Sequence, residues 1–260
     1  MSILKILPIQ SSSKGNSTLV ISTDAKILVD CGISGKALQE KLLSSGISPY
    51  DIDAILITHE HTDHTKGIGI ISRKYNLPIF ANNLTWQSIG SSVGKITPEN
   101  IRIFETASPF YIKEVLIKSF PIPHDAISPV GFTFESGGQR LAIATDMGTV
   151  TDEVLAAISG CDTVLLEANY DLGMLEVGTY PFELKKRIKS NVGHLCNDDA
   201  ARLARILLEN GTKKIYLGHL SQENNFPPLA LKTVENALLD ANAPPCVLSV
   251  ITPEGDLVFA

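Results

Sequence analysis

Apolar positions along the chain fall into short runs whose period changes from one segment to the next. Residues 3–8, 17–22 and 26–30 are β-rich, with Thr23-Asp24-Ala25 as a turn between the last two, so the chain opens on a strand meander. Over 34–45 the period becomes helical, with Ala37, Leu38, Leu42 and Leu43 on one stripe and Gly46 at the C-terminal cap. A continuous β-branched run then predicts a buried strand over 53–58. Beyond it the pattern predicts a helix over 66–75, a strand over 78–81, a short helix over 84–90, and strands over 101–104, 115–121, 130–135 and 140–144. The second half repeats this layout: helix 151–158, strand 163–166, helices 182–190 and 198–210, strand 213–217, helix 228–241, and closing strands 247–251 and 257–259. Asn197 is the expected N-cap of the 198–210 helix, with Asp198 and Asp199 at its positive end and Gly211 ending it. Helices alternating with strands in two similar halves, with no linker between them, predict a single α/β sandwich domain spanning 1–260.

Composition narrows the class. The 44% hydrophobic content is ample for a core in a chain of 260 residues. No apolar stretch approaches the roughly 20 residues of a membrane span. The opening Met1-Ser2-Ile3-Leu4-Lys5 lacks the apolar region and cleavage site of a signal peptide, so a cytoplasmic location without a membrane partner is expected. Cys31, Cys161, Cys196 and Cys246 show no CxxC spacing and read as buried small residues, not as a disulfide framework or thiolate zinc site. A net charge of −6 weighs against broad nonspecific binding of nucleic acid, while a local basic groove around a metal centre stays compatible with it.

Chemistry enters with the histidines. The chain has six, and three lie in Thr58-His59-Glu60-His61-Thr62-Asp63-His64, at the end of the 53–58 strand. Imidazole and carboxylate suit Zn²⁺, Mn²⁺ or Fe²⁺, and a tight loop can point His59 and His61 at one ion and Asp63 and His64 at a second. His124, Asp146 and His219 each follow an apolar run, which puts them at strand ends, where sites on α/β folds gather. If Asp146 bridges, seven ligands divide between two divalent metal ions. His59, His61, His124 and Asp146 take one; Asp63, His64, Asp146 and His219 take the other.

The run His59-x-His61-x-Asp63-His64, followed in order by His124, Asp146 and His219, resembles the metallo-β-lactamase fold superfamily. The resemblance implies an αββα sandwich of two mixed β-sheets flanked by helices, with a binuclear centre between the upper strand ends. The segment Ser190-Asn191-Val192-Gly193-His194-Leu195-Cys196-Asn197, the segment from Gly218 to Asn225 and the loop Ser12-Ser13-Lys14-Gly15-Asn16 are similar to those of the bacterial YycJ/WalJ-type nucleases related to ribonuclease Z. Cys196 stands where that group often has Ser, and Lys14 interrupts a loop usually built from Gly and Ser. This narrower resemblance implies a phosphodiesterase with nucleic acid as substrate, a DNA exonuclease in particular. Glu167, in Leu165-Leu166-Glu167-Ala168-Asn169-Tyr170, resembles the corresponding Glu of ribonuclease Z, whose partner is a His in the position of His194.

The mechanism expected from this set uses a metal-bridging hydroxide whose parent water has its pKa lowered from ~16 towards ~7. Asp63 would bind metal and accept a hydrogen bond from that hydroxide, and His194, oriented by Glu167, would stabilise charge on the phosphoryl oxygen or protonate the leaving 3′ or 5′ oxygen. Ser13, Gly15 and Asn16 are candidate substrate-binding residues, because a Ser/Gly-rich turn exposes N–H donors to phosphate. The alternative on the same fold is a thioester or lactone hydrolase, whose chemistry does not require the Glu167 and His194 pair. Lys185, Lys186, Arg187 and Lys189 form a basic helix, expected to be a solvated face rather than a phosphate contact.

Overall fold

The computed structural model describes residues 3–260, so Met1 and Ser2 of the N-terminal reading lie outside the described residues. The first half builds a six-stranded sheet in chain order: β1 (Lys5–Ser12), β2 (Gly15–Ile21), β3 (Lys26–Val29), β4 (Ala54–Leu56), β5 (Ile79–Asn82) and β6 (Ile101–Phe104). The first three strands pair antiparallel, and β3 to β6 run parallel. Parallel neighbours require crossovers. These carry α1 (Gly35–Ser44), α2 (Thr62–Thr65), α3 (Ile68–Tyr75) and α4 (Asn83–Ile89).

The second half builds an eight-stranded sheet from β7 (Phe110–Ile112), β8 (Val115–Pro121), β9 (Val130–Ser136), β10 (Gln139–Ala144), β11 (Thr163–Glu167), β12 (Lys214–Gly218), β13 (Val247–Ile251) and β14 (Leu257–Phe259), again in chain order. Strands β10 to β13 are parallel and the flanking pairs antiparallel. The helices here are α5 (Asp152–Ile158), α6 (Leu172–Val177), α7 (Phe182–Ile188), α8 (Asn197–Glu209) and α9 (Pro227–Asp240).

Side-chain alternation shows why the strands read as unbroken apolar runs. In β4 and just beyond it, Ala54 and Leu56 face the core between the sheets, while Ile55 and Ile57 face the helices outside. In β11, Leu165 faces inward, and Val164 and Leu166 pack under α5, α8 and α9. A strand buried on both faces has no polar side to alternate with. The result is the expected αββα sandwich. Phe132 and Phe134 of β9 are fully buried in the inter-sheet layer, and Phe132 meets Phe104 of the other sheet with ring centroids 5.7 Å apart. Phe132→Ala is expected to cost about 3–5 kcal/mol, measurable as a fall in the urea midpoint at constant slope; a loss under ~1 kcal/mol would show that this layer collapses around the gap.

Several boundaries differ from the sequence reading. The first strand runs to Ser12, not to residue 8, and returns through a tight Ser13-Lys14 turn that pairs Ser12 with Gly15. The 66–75 helix is preceded by the separate α2, which carries Asp63 and His64, and Gly67 stands between the two. Asn197 is not the cap of α8: it lies inside the helix, and Cys196 Sγ accepts from Asp199 N–H at 3.5 Å. A thiol thus takes the position of the cap hydroxyl. The pattern gave no signal for α6 or β7, whose short lengths leave little period to detect.

Candidate metal centre

Strands β4, β8, β10, β11 and β12 all end at one edge of the sandwich, and each delivers a polar side chain just past its last apolar residue. The seven predicted ligands come together there. His59 Nε2 lies 3.0 Å from His61 Nδ1, and His124 Nε2 lies 3.3 Å from the same His61 nitrogen. Asp146 sits in the middle: its carboxylate oxygens are 3.5 Å from His64 Nε2, 3.3 Å from His219 Nε2 and 3.9 Å from His124 Nε2. Asp63 Oδ2 is 3.5 Å from His64 Nε2. One set of ligand atoms comprises His59, His61 and His124; others join His59, His64 and Asp146; Asp63, His64 and His219; and Asp146, Glu167, His194 and His219. In each set the atoms lie within 4.8 Å of one another, a spacing that ligand bonds of roughly 2.0–2.2 Å can span.

Four imidazoles are anchored through Nδ1, and this sets what they present. His64 Nδ1 meets Asp30 Oδ2 at 2.7 Å, His219 Nδ1 meets Glu167 Oε1 at 2.8 Å, and His124 Nδ1 meets the Gly193 carbonyl at 3.2 Å. Thr58 Oγ1 donates to Asp30 at 2.8 Å and lies 3.0 Å from His59 Nδ1, from which it therefore accepts. An acceptor on Nδ1 places the proton there and leaves the Nε2 lone pair facing the cluster. Glu167 serves twice, since the same Oε1 also binds His194 Nδ1 at 2.7 Å, while Oε2 accepts from Met147 N–H at 2.8 Å.

Backbone strain accompanies the site. Asp30, Asp146 and His219 adopt φ of +59°, +60° and +57°, each at the end of a site strand. Left-handed backbone at a non-glycine residue costs about 1–3 kcal/mol and persists where surrounding contacts enforce it. Gly32 has a different role: a Cβ there would lie 1.5 Å from the Asp63 carbonyl, so its hydrogen lets the ligand loop sit on the end of β3.

Burial and charge tune the groups. His59 and His124 are pushed below the ordinary imidazole range, first by burial and then by neighbouring histidines, with Asp146 opposing, so both are neutral. His64 moves the other way: burial disfavours its charge, but the carboxylates of Asp146 and Asp30 prevail and raise it. Burial likewise opposes ionisation of Asp146, and His219 and His64 overcome it, holding its carboxyl low. Among the described residues, buried Asp146 Oδ2 and His219 Nε2 find no hydrogen-bond partner, an arrangement that costs about 1–3 kcal/mol per group. A divalent cation among these donors would satisfy both atoms and would supply the positive charge that the carboxylates otherwise draw from His64. The residues present fit such a group.

Of the expected substrate-binding residues, Asn16 reaches the cluster, its Nδ2 lying 3.1 Å from His64 Nε2. Ser13 lines a cavity beside His194, and Gly15 packs instead against Gly32 and Ile33. Three of the four 185–189 cations are engaged by neighbours: Lys185 binds the Glu176 and Gly178 carbonyls, Arg187 pairs with Asp125, and Lys189 lies 3.7 Å from Glu176. Sequence reasoning missed Asp30, Thr58, Asn169 and Ser11. Asn169 Nδ2 donates to the His219 carbonyl at 2.8 Å, and Ser11 Oγ accepts from His219 N–H at 2.8 Å. Only Asp30 left a usable signal, an Asp closing a buried apolar strand as the ligands do. Asp30→Asn, which keeps a residue tolerant of φ +59°, is expected to weaken metal binding by about 10–100-fold by loosening the hold on the His64 ring; metal titration with wild-type affinity would show that Thr58 Oγ1, 3.3 Å from His64 Nδ1, suffices to orient it.

The beta-lactamase superfamily domain matches residues 25–220. The chain belongs to the metallo-β-lactamase superfamily. It is 39% identical over 228 residues to the exodeoxyribonuclease YycJ of Bacillus anthracis, covering 88% of this chain and 86% of that protein. It is 42% identical over 234 residues to the exodeoxyribonuclease WalJ of Streptococcus pneumoniae, covering 89% and 87%. The superfamily fold is also that of the metallo-β-lactamase fold protein YhfI from Bacillus subtilis, with a TM-score of 0.75 at 17% identity over 99% of both chains. Among the described residues, no helix of this superfamily member is long and apolar enough to cross a membrane.

Proposed function

We propose that this chain is a metal-dependent exodeoxyribonuclease that hydrolyses the phosphodiester bonds of DNA. The observation that carries the reading is the Glu167 and His194 pair within a cluster of candidate metal-ligating side chains, in a chain 39–42% identical over most of its length to exodeoxyribonucleases. His59, His61, His124 and Asp146 would hold one divalent ion, and Asp63, His64, Asp146 and His219 a second. Bound there, such ions supply Lewis acidity towards a phosphoryl oxygen and a water acidic enough to attack near neutral pH.

The remaining work belongs to the protein's own groups. Glu167 holds His194 Nδ1 and fixes its ring, and the carboxylate raises the imidazole to about 9 against the opposing effect of burial. His194 therefore carries a proton at neutral pH and is placed to give it to the leaving oxygen as water adds across the P–O bond. Asp63, partly exposed at the cluster's mouth, is placed to accept a hydrogen bond from the attacking water. Asn16 Nδ2, beside His64, is placed to donate to a phosphate oxygen. We also take residues 1–260 as one domain, because the layer between the sheets draws side chains from Leu4 through Ile251.

Incubating zinc- or manganese-loaded protein with single- and double-stranded DNA and RNA, phosphorylated or not at the 5′ end, tests the reading through product length. Progressive shortening of DNA from one end is expected. Intact DNA alongside turnover of a thioester or lactone would instead favour the carbonyl hydrolases of the same fold.

A further inference from the structure

Beside His194 the surface opens into a cavity of about 260 Å³. Its inner wall belongs to the cluster: His194, Gly193 whose carbonyl anchors His124, and Asn169 whose amide holds His219. Its outer wall is Tyr180, Leu184 and Ile188, from α7 and the segment before it. Tyr180 and Ile188 also pack against Tyr170, Leu175 and Cys196, so this wall is fixed from behind. Besides His194, two cations stand at the lining, and each has a carboxylate partner: Lys14 lies 4.0 Å from Glu223, and Arg187 pairs with Asp125.

That pairing decides which part of a substrate enters. A phosphate would have to compete with Glu223 and Asp125 for Lys14 and Arg187, whereas the outer wall of Tyr180, Leu184 and Ile188 offers a ring face and apolar contact, with Ser13, Asn169 and Ser221 as polar edges and His194 at the cluster side. We infer that the cavity receives one nucleoside, base and sugar together, attached to the phosphate held at the metal cluster. The inference rests on the nuclease reading and specifies it. Small-molecule sites begin at about 300 Å³, so a space of about 260 Å³ matches one nucleoside better than two. DNA is therefore engaged at its end and shortened by one nucleotide per cut. Stacking on Tyr180 makes the subsite tolerant of base identity, since every base has a π-face.

The test is calorimetric binding of deoxyadenosine 3′-monophosphate, deoxyadenosine 5′-monophosphate and inorganic phosphate to metal-loaded protein. The tighter of the two nucleotides is expected to bind at least about ten-fold more tightly than phosphate, within the range for stacking one base. Tyr180→Ala removes the ring and Leu184→Trp fills the cavity, and each should reduce that advantage to under about three-fold. Tyr180→Phe, which keeps the ring, should restore it. On end-labelled DNA the wild type should release mononucleotides, and both disruptive variants should raise KM about ten-fold with a smaller change in kcat. No advantage for either nucleotide in the wild type, an advantage unchanged in both disruptive variants, or release of dinucleotides overturns the subsite. Wild-type protein that cleaves no DNA overturns the nuclease reading, and the binding ratios still judge the cavity.

Discussion

Asp146→Asn is expected to lose at least roughly a thousand-fold in DNA hydrolysis, about 4 kcal/mol of barrier, together with most of the bound metal. The substitution is chosen for its backbone. Asp146 sits at φ +60°, which Asn tolerates and Ala does not, so the fold should survive while the charge is removed. The carboxylate stands 3.3 Å from His219 Nε2 and 3.5 Å from His64 Nε2, nearest to both halves of the cluster, and one of its oxygens has no other partner. An amide offers one neutral oxygen where two charged ones stood. Elemental analysis, thermal melting and the DNA assay together check the claim. A variant that melts normally and retains full metal with wild-type turnover would remove Asp146 from the centre.

His194→Ala should lower kcat/KM by about 10²–10⁴ while leaving metal content unchanged. Its Nδ1 is held by Glu167, and the ring stands outside the seven proposed ligands, within reach of Asp146, Glu167 and His219. The pH profile sharpens the claim. His194 lies above the ordinary value of 6.5, at about 9, because Glu167 outweighs the burial that opposes its charge. The acid form is the active one, so activity is present below about 9 and is lost as pH rises through that value. Glu167→Gln removes the charge that raises His194, and the basic limb should move down towards 6.5 with reduced kcat. The same change loosens His219, held by the same oxygen, so some metal affinity should go with it. A basic limb at unchanged pH in Glu167→Gln would assign that limb to another group.

The two results separate because the residues stand in different relations to the cluster. Asp146 touches the ligand atoms themselves, whereas His194 touches Glu167 and the cavity. Loss of metal in His194→Ala would merge the two roles and make His194 a ligand.

The local parts of this protein were determined by its sequence. Residues one to five apart in one turn can only be neighbours, so His59, His61, Asp63 and His64 read as a candidate multidentate loop. Apolar runs buried on both faces announced the strands, and a polar residue closing such a run announced His124, Asp146 and His219. Tertiary structure decided what depends on distant segments meeting. Asp30 and His64 are 34 residues apart, and Glu167 and His219 are 52 apart, yet these contacts place each Nδ1 proton and turn each Nε2 inward. The cap of α8 passed from Asn197 to Cys196, because that depends on one backbone geometry rather than on propensity. The cavity beside His194 is likewise assembled from the β1–β2 turn, the α7 wall and the 193–194 segment. Hydrophobic period is a property of neighbours along the chain and survives in the sequence; the partner of a side chain across a sheet edge is set only when the strands stack in order.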